Sequence, residues 1–330
     1  MIHEKEICVM KLYPLCLCGV TKSPIWGGRR LLDDWGKRAE TDTIGESWEL
    51  TVRKNEKCKI LNGALAGKIL DEVIDSFGKD VTGADFGSSD FPILIKLIDA
   101  NDRLSVQVHP DDSYASRVEN DRGKTEMWYI VDADEGAELI CGLADGVTSA
   151  DFADAVREGR LEAALKHLPV KKGECYFIPA GMPHAIGKGI LIAEIQQNCD
   201  LTYRVYDYER RDASGNLREL HVEKALDVIR PFSEAEINAV CYARTGGVPE
   251  SENVLAHSAF FRVEKLMLTG ESVSLQERKM QHLLCVDGEA LLTCDGVEYR
   301  VRRGESWLVP ASLSGVMLTG NATLILSSVN

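Results

Sequence analysis

No apolar run in this 330-residue chain approaches the roughly 18 residues that a membrane-spanning helix needs, which argues against a membrane protein of that kind. A block of lysines and arginines is missing too, and the formal net charge is −14. Nucleic acid is therefore not the expected partner, because backbone phosphates call for a basic surface. An anionic small molecule stays open, since one site needs only a few local cations. The N-terminus, His3-Glu4-Lys5-Glu6 and then an apolar stretch broken by Lys11 and Pro14, has neither the basic opening nor the small-residue cleavage site of an export signal. The ten cysteines are scattered, and the closest pair, Cys16 and Cys18, is not a Cys-x-x-Cys. They read as reduced thiols of a cytoplasmic protein, not as a disulfide framework or a zinc cluster.

What is present is a polar alternation on an extended stretch, Ser105-Val106-Gln107-Val108-His109-Pro110. In a strand, residues of equal parity share a face. Ser105, Gln107 and His109 therefore look one way, and Val106 and Val108 the other. Glu126 and His184, the latter inside Pro179-Ala180-Gly181-Met182-Pro183-His184, complete a set of two imidazoles, one carboxylate and one amide oxygen. That mixed N/O set suits a divalent transition metal. A polar inner face opposite an apolar outer one is what a ligand-holding barrel needs.

Two local patterns recur. Gly173-Glu174-Cys175-Tyr176-Phe177-Ile178-Pro179-Ala180-Gly181 parallels Gly304-Glu305-Ser306-Trp307-Leu308-Val309-Pro310-Ala311-Ser312. A strand-turn-strand candidate precedes each, Met127 to Gly142 and Leu283 to Gly296. The duplication predicts an all-β fold of two jelly-roll barrels, the architecture that includes cupins, with a few short helices. Helical spacing marks Leu65 to Phe77, and Phe152 and Val156 with Leu161, Leu165 and Leu168 continuing after Gly159. Glu223 to Ile229 is another candidate, and Ser233 before Glu236 offers a cap. The Gly-, Pro- and Ser-rich stretch from Thr245 to Asn253 reads as a loop. It divides a metal-binding domain, residues 1–245, from a metal-free one, residues 246–330, with N-terminal strands free to join the second sheet. The second copy lacks a histidine after its Pro-Ala, and its His282 reads as a structural residue.

Several ordered segments then resemble one family. Ser105 to Asp112, Gly123-Lys124-Thr125-Glu126-Met127-Trp128-Tyr129, Ile178 to Ile186 and Glu194 to Tyr208 are similar to type I mannose-6-phosphate isomerase, in its short form. Pro24-Ile25-Trp26-Gly27-Gly28 and Ile44-Gly45-Glu46-Ser47-Trp48-Glu49 resemble its N-terminal signatures. The resemblance implies a zinc-dependent cupin enzyme interconverting mannose 6-phosphate and fructose 6-phosphate, a small sugar phosphate being its partner and the chain a monomer or homodimer. It implies Gln107, His109, Glu126 and His184 as metal ligands, and Lys124 and Arg204 as catalytic residues. Ser105 and Lys96 would handle the substrate phosphate. Cys199 stands where the family often has serine, and residues 1–9 precede the usual family start.

Such an isomerisation moves a proton between C2 and C1 through a cis-enediol, so it needs a proton carrier and positive charge near the enediolate. Lys124, two residues from Glu126, would face the same cavity on an extended segment. Arg204 could grip phosphate or an oxyanion; its plain alternative is a salt bridge to Asp207 or Glu209. Glu194 and Gln196 share a strand face from which they could orient a ligand histidine. Two histidines and a carboxylate also describe an iron oxygenase, and a metal-bearing carbohydrate-binding module without turnover is a third class.

Overall fold

The computed structural model describes residues 10–212, 214–238, 253–276 and 278–329. The boundary expected at 245/246, most of the loop around it and the extension at residues 1–9 lie outside these. Among the described residues the strands make one nine-stranded, one six-stranded, one five-stranded and one two-stranded sheet. The six-stranded sheet runs in the order Cys175–Ile178, Glu126–Ala133, Ile190–Gln197, Ile93–Ala100, Glu46–Leu50, Val20–Lys22. The five-stranded sheet is Leu165–Pro169, Glu138–Leu143, His184–Ile186, Val106–Val108, Tyr203–Tyr206. The nine-stranded sheet gathers the C-terminal strands, and Leu15–Cys18 joins it by pairing with Ser306–Val309. The fold is mostly β as expected, but the hydrogen-bonded strand orders are open and close no barrel.

Three apolar clusters separate these sheets into layers. Strand alternation sends Met127, Tyr129 and Val131 into a core shared with the C-terminal sheet. The intervening Trp128 and Ile130 enter a second core with Leu139, Cys141 and Ile186 of the five-stranded sheet. Val106 and Val108 line a third, against the helix Ser149–Arg157. The six-stranded sheet is thus buried on both faces, which is why Ile190–Gln197 reads as a nearly continuous apolar run. Each fully buried leucine or isoleucine there contributes roughly 2 kcal/mol.

The helices found include Leu70–Phe77, Ser149–Arg157, Val222–Val228 and Glu234–Asn238. Thr148 and Asp151 form a capping box at the second, and Ser233 with Glu236 caps the last. One expectation fails. Leu165 and Leu168 do not continue a helix but sit on the strand Leu165–Pro169, where their three-residue spacing sends them to opposite faces and different cores. The stretch from Met127 to Gly142 is strand-turn-strand as expected, Glu126–Ala133 and then Glu138–Leu143, but the two strands belong to different sheets, so the turn carries the chain across the sandwich.

Candidate metal centre

Facing strands bring the polar set together between the five- and six-stranded sheets. His109 follows Val106–Val108, His184 opens His184–Ile186, and Glu126 opens Glu126–Ala133 on the other sheet. Gln107 lies directly opposite His184 in the ladder, so their side chains share a face. Gly181 makes the turn before His184 possible. Its φ is +90°, and a Cβ there would stand 2.8 Å from the Val228 carbonyl oxygen. Its N–H donates to the His109 carbonyl at 2.8 Å, tying the two histidine segments to each other.

Each imidazole is held from behind by a backbone carbonyl. His109 Nδ1 lies 2.7 Å from Leu201 O and His184 Nδ1 2.8 Å from Met182 O. A carbonyl only accepts, so both Nδ1 atoms carry the proton and both Nε2 atoms present bare lone pairs. Those two Nε2 atoms are 3.1 Å apart. Glu126 Oε1 is 3.3 Å from His184 Nε2, and Oε2 is 3.7 Å from His109 Nε2. All three groups offer ligand atoms within 4.8 Å of one another. Burial drives the His184 pKa down to about 4 and takes His109 well below its ordinary value, with Lys124 adding to the latter. Burial also raises Glu126, and neither of its oxygens accepts a well-formed hydrogen bond. Two imidazole lone pairs and a carboxylate converge on one point, with only the Lys124 ammonium beside them to balance their charge, and that mixed N/O donor set fits a divalent metal.

Lys124 Nζ reaches into the same cluster, 3.1 Å from His109 Nε2 and 3.2 Å from Glu126 Oε2. Lys96, also buried, lies 3.3 Å from Glu194 and 3.7 Å from Glu46. Burial resists the ionisation of Glu194, but Lys96 and then Lys124 outweigh it and hold its pKa low. Glu194 does not orient a histidine; it accepts from Trp128 Nε1 at 3.0 Å, and that indole packs edge-on against His184. Gln196 donates its Nε2 to the carbonyls of Gln197 and Cys199, while its buried Oε1 accepts no hydrogen bond. Ser105 is buried next to Val106. Leu201 and Met182, whose carbonyls orient the imidazoles, carry no side-chain signal by which the sequence could reveal them.

Arg204 faces Gln107 across the next strand pair. Its Nη1 donates to Glu219 O at 2.7 Å, and among the described residues it makes no ion pair. The expected alternative partner Asp207 is taken by Arg210 and Arg218. His109, Lys124, Glu126 and His184 are buried almost completely, while Gln107 and Arg204 are half-buried, which marks the side on which solvent approaches.

Residues 15–158 match the family described as phosphomannose isomerase type I, catalytic domain, and residues 251–329 match mannose-6-phosphate isomerase, cupin domain. The mannose-6-phosphate isomerase of Streptococcus mutans is 37% identical over 322 residues, covering 96% of this chain and 98% of that one. The chain belongs to the type I phosphomannose isomerases. Within the family, the mannose-6-phosphate isomerase ManA of Bacillus subtilis is 36% identical over 96% of this chain and 99% of its own. A crystal structure of the Bacillus subtilis mannose 6-phosphate isomerase superposes with a TM-score of 0.83 at 31% identity, covering 95% of this chain and 99% of that one. A phosphomannose isomerase of Salmonella typhimurium, at 16% identity and a TM-score of 0.79, shares the fold. Against the family pattern, Cys199 touches the site at one remove. Its Sγ accepts from Leu201 N at 3.4 Å and so steadies the carbonyl that holds His109.

Proposed function

We propose that this chain interconverts mannose 6-phosphate and fructose 6-phosphate through a cis-enediol, at a zinc ion held by Gln107, His109, Glu126 and His184. The observation that carries this reading is the pair of Nε2 lone pairs, 3.1 Å apart, converging with the Glu126 carboxylate so that all three ligand atoms lie within 4.8 Å of one another. Bound there, the ion supplies Lewis-acid charge for the enediolate oxygens. Lys124 is the group placed to hold and move a proton, its Nζ being within hydrogen-bond reach of two proposed ligands and inside the same cavity. Arg204 approaches from the solvent side with its charge unpaired, suited to an oxyanion or a phosphate. Ser105 and Lys96, both buried, are assigned to the substrate phosphate. The packed wall of Trp128 and Ile130 keeps water from an intermediate that would otherwise lose its proton to solvent.

The domain division at 245/246, the pairing of two jelly-roll units and a cytoplasmic monomer or homodimer belong to the same reading. The repeated Gly-Glu strand entries and the unbridged cysteines among the described residues support it. A coupled assay on mannose 6-phosphate, run with and without chelator and then with zinc restored, tests the function. Turnover is expected to vanish with the metal and return with it. Activity that survives complete metal removal overturns the mechanism.

A further inference from the structure

The nine-stranded sheet leaves one of its strands paired on a single side. Val297–Arg302 pairs with Gln281–Cys294 across the turn Asp295-Gly296, whose φ values are +50° and +76°, and with no other strand among the described residues. Cys294 faces Val297 beside that two-residue turn, so these two exchange both backbone hydrogen bonds. The alternation that follows turns the N–H and C=O of Val297, Tyr299 and Val301 toward the hairpin partner, and those of Glu298, Arg300 and Arg302 outward. The next rung agrees, Arg303 N donating to Gly288 O at 3.2 Å. Arg302 spends its outward groups within its own turn, its N–H donating to Glu305 Oε2 at 3.0 Å and its C=O accepting from Glu305 N at 2.9 Å. The outward backbone groups of Glu298 and Arg300 have no protein partner among the described residues, and both side chains are exposed.

A bare edge is a template for another strand, and the residues on this one fit a second copy of the chain. In an antiparallel pair about a twofold axis, an outward-facing residue must meet another outward-facing residue. An axis on Arg300 sets that cation against its own copy, and an axis on Glu298 does the same with two carboxylates. An axis on Val301 sets Arg300 against Arg302, and one on Val297 runs the copies off the end of the hairpin. Only an axis on Tyr299 keeps the strands overlapped and puts each Glu298 opposite the Arg300 of the other copy. It also joins Val297, 50% exposed, to Val301. The charges involved are free to respond. Glu298 makes no ion pair among the described residues, and Arg300 meets Glu289 only at 3.6 Å, sharing it with Arg302. Asp295, at the turn, is already paired with Lys11 at 2.8 Å.

We propose that Val297–Arg302 is the interface of a homodimer, in which two copies add edge to edge through Glu298 and Arg300 and their nine-stranded sheets run on as one. Each Glu298–Arg300 rung carries a pair of backbone hydrogen bonds and a cross-strand ion pair. The contact is short, which places it among weak, reversible interfaces. It lies in a different sheet from every proposed metal ligand.

Sedimentation equilibrium of the full chain at about 5 and about 200 µM is the test, because a small interface fills only at high concentration. The wild type is expected to pass from monomer toward dimer over that range, and less so in about 1 M salt, which screens the ion pairs. Glu298→Arg sets arginine against arginine and Arg300→Glu sets glutamate against glutamate, so each alone should stay monomeric. An equal mixture of the two variants should dimerise, since each offers the charges that the other lacks. The double variant should recover the dimer by itself, with turnover of mannose 6-phosphate unchanged throughout. A wild type still monomeric at the higher concentration overturns the proposal, whether the edge is bare or covered by other residues of the same chain. A dimer that neither single substitution weakens lies elsewhere on the surface and overturns it as well. If a single variant does not fold, the double variant decides, a monomer there removing the Tyr299-centred register.

Discussion

The two copies of the Gly-Glu motif share a scaffold and differ in chemistry. Gly173 and Gly304 both take positive φ, 92° and 82°. In each copy the following glutamate closes the turn in the same way. Glu174 Oε2 accepts from Lys171 N at 2.9 Å and from Tyr176 Oη at 2.7 Å. Glu305 Oε2 accepts from Arg302 N at 3.0 Å and from Trp307 Nε1 at 3.3 Å. The strands that follow pair alike, Ile178 opposite Glu126 and Val309 opposite Gln281. Gln281 therefore stands where Glu126 stands, and counting on from the shared Pro-Ala puts Gly315 at the place of His184. The neighbouring His282 is met by a hydroxyl, its Nε2 lying 2.6 Å from Ser306 Oγ. Backbone geometry was kept in both copies, and a carboxylate and an imidazole are what separate a metal centre from packing.

The sharpest way to break that contrast is to make the first copy resemble the second. Glu126→Gln should release the metal and lower kcat/KM about 1000-fold or more, because several kcal/mol of charge stabilisation go with the ion; metal analysis and the coupled assay read both. Retained metal with full activity would mean that the carboxylate is not what distinguishes the copies. Lys124→Met tests whether the first copy needs more than its ligands. A loss of about 100- to 10,000-fold in kcat is expected with metal content unchanged.

The second copy can be probed by pH. Burial lowers the His282 pKa to about 3, whereas the unfolded chain protonates near 6.5. Below pH 6.5 the unfolded state takes up a proton that the folded state refuses, so stability falls as pH drops from about 6.5 toward 3. The loss attributable to this group is about 2 kcal/mol by pH 5. Urea unfolding of the metal-loaded protein across that range should show a shallower slope for His282→Gln; an unchanged slope would assign the acid sensitivity elsewhere. The smallest effect belongs to Cys199→Ser. The Leu201 contact survives with a shorter acceptor, so kcat should stay within about threefold and stability within about 1 kcal/mol.

These copies also explain what the sequence could reveal. Alternation on Ser105 to His109 named the face of the ligand candidates, because a strand's period is two and Val106 and Val108 had an apolar core to fill. The helix at Leu70–Phe77 was legible for the same kind of reason, a one-sided apolar face. Leu165 and Leu168 misled because a spacing of three fits one face of a helix and also the two faces of a strand flanked by separate cores. The crossing between sheets after Ala133 was hidden because a turn's residues do not say which sheet the next strand joins. The carbonyls of Leu201 and Met182 had no side-chain signature, and the Asp207 arginine cluster became visible only once Arg218 was folded back onto it.

The strand Glu126–Ala133 carries alternate residues into two interiors of opposite character, one polar around Glu126 and one oily around Met127. Sliding its ladder by a single position would drive a thioether into the cation's berth and bury a naked carboxylate among leucines. Mispaired chains are thus penalised twice by the same error. A protein built this way polices its own alignment while it folds, and a chain that reaches the stable ladder has its metal-binding carboxylate already pointed inward.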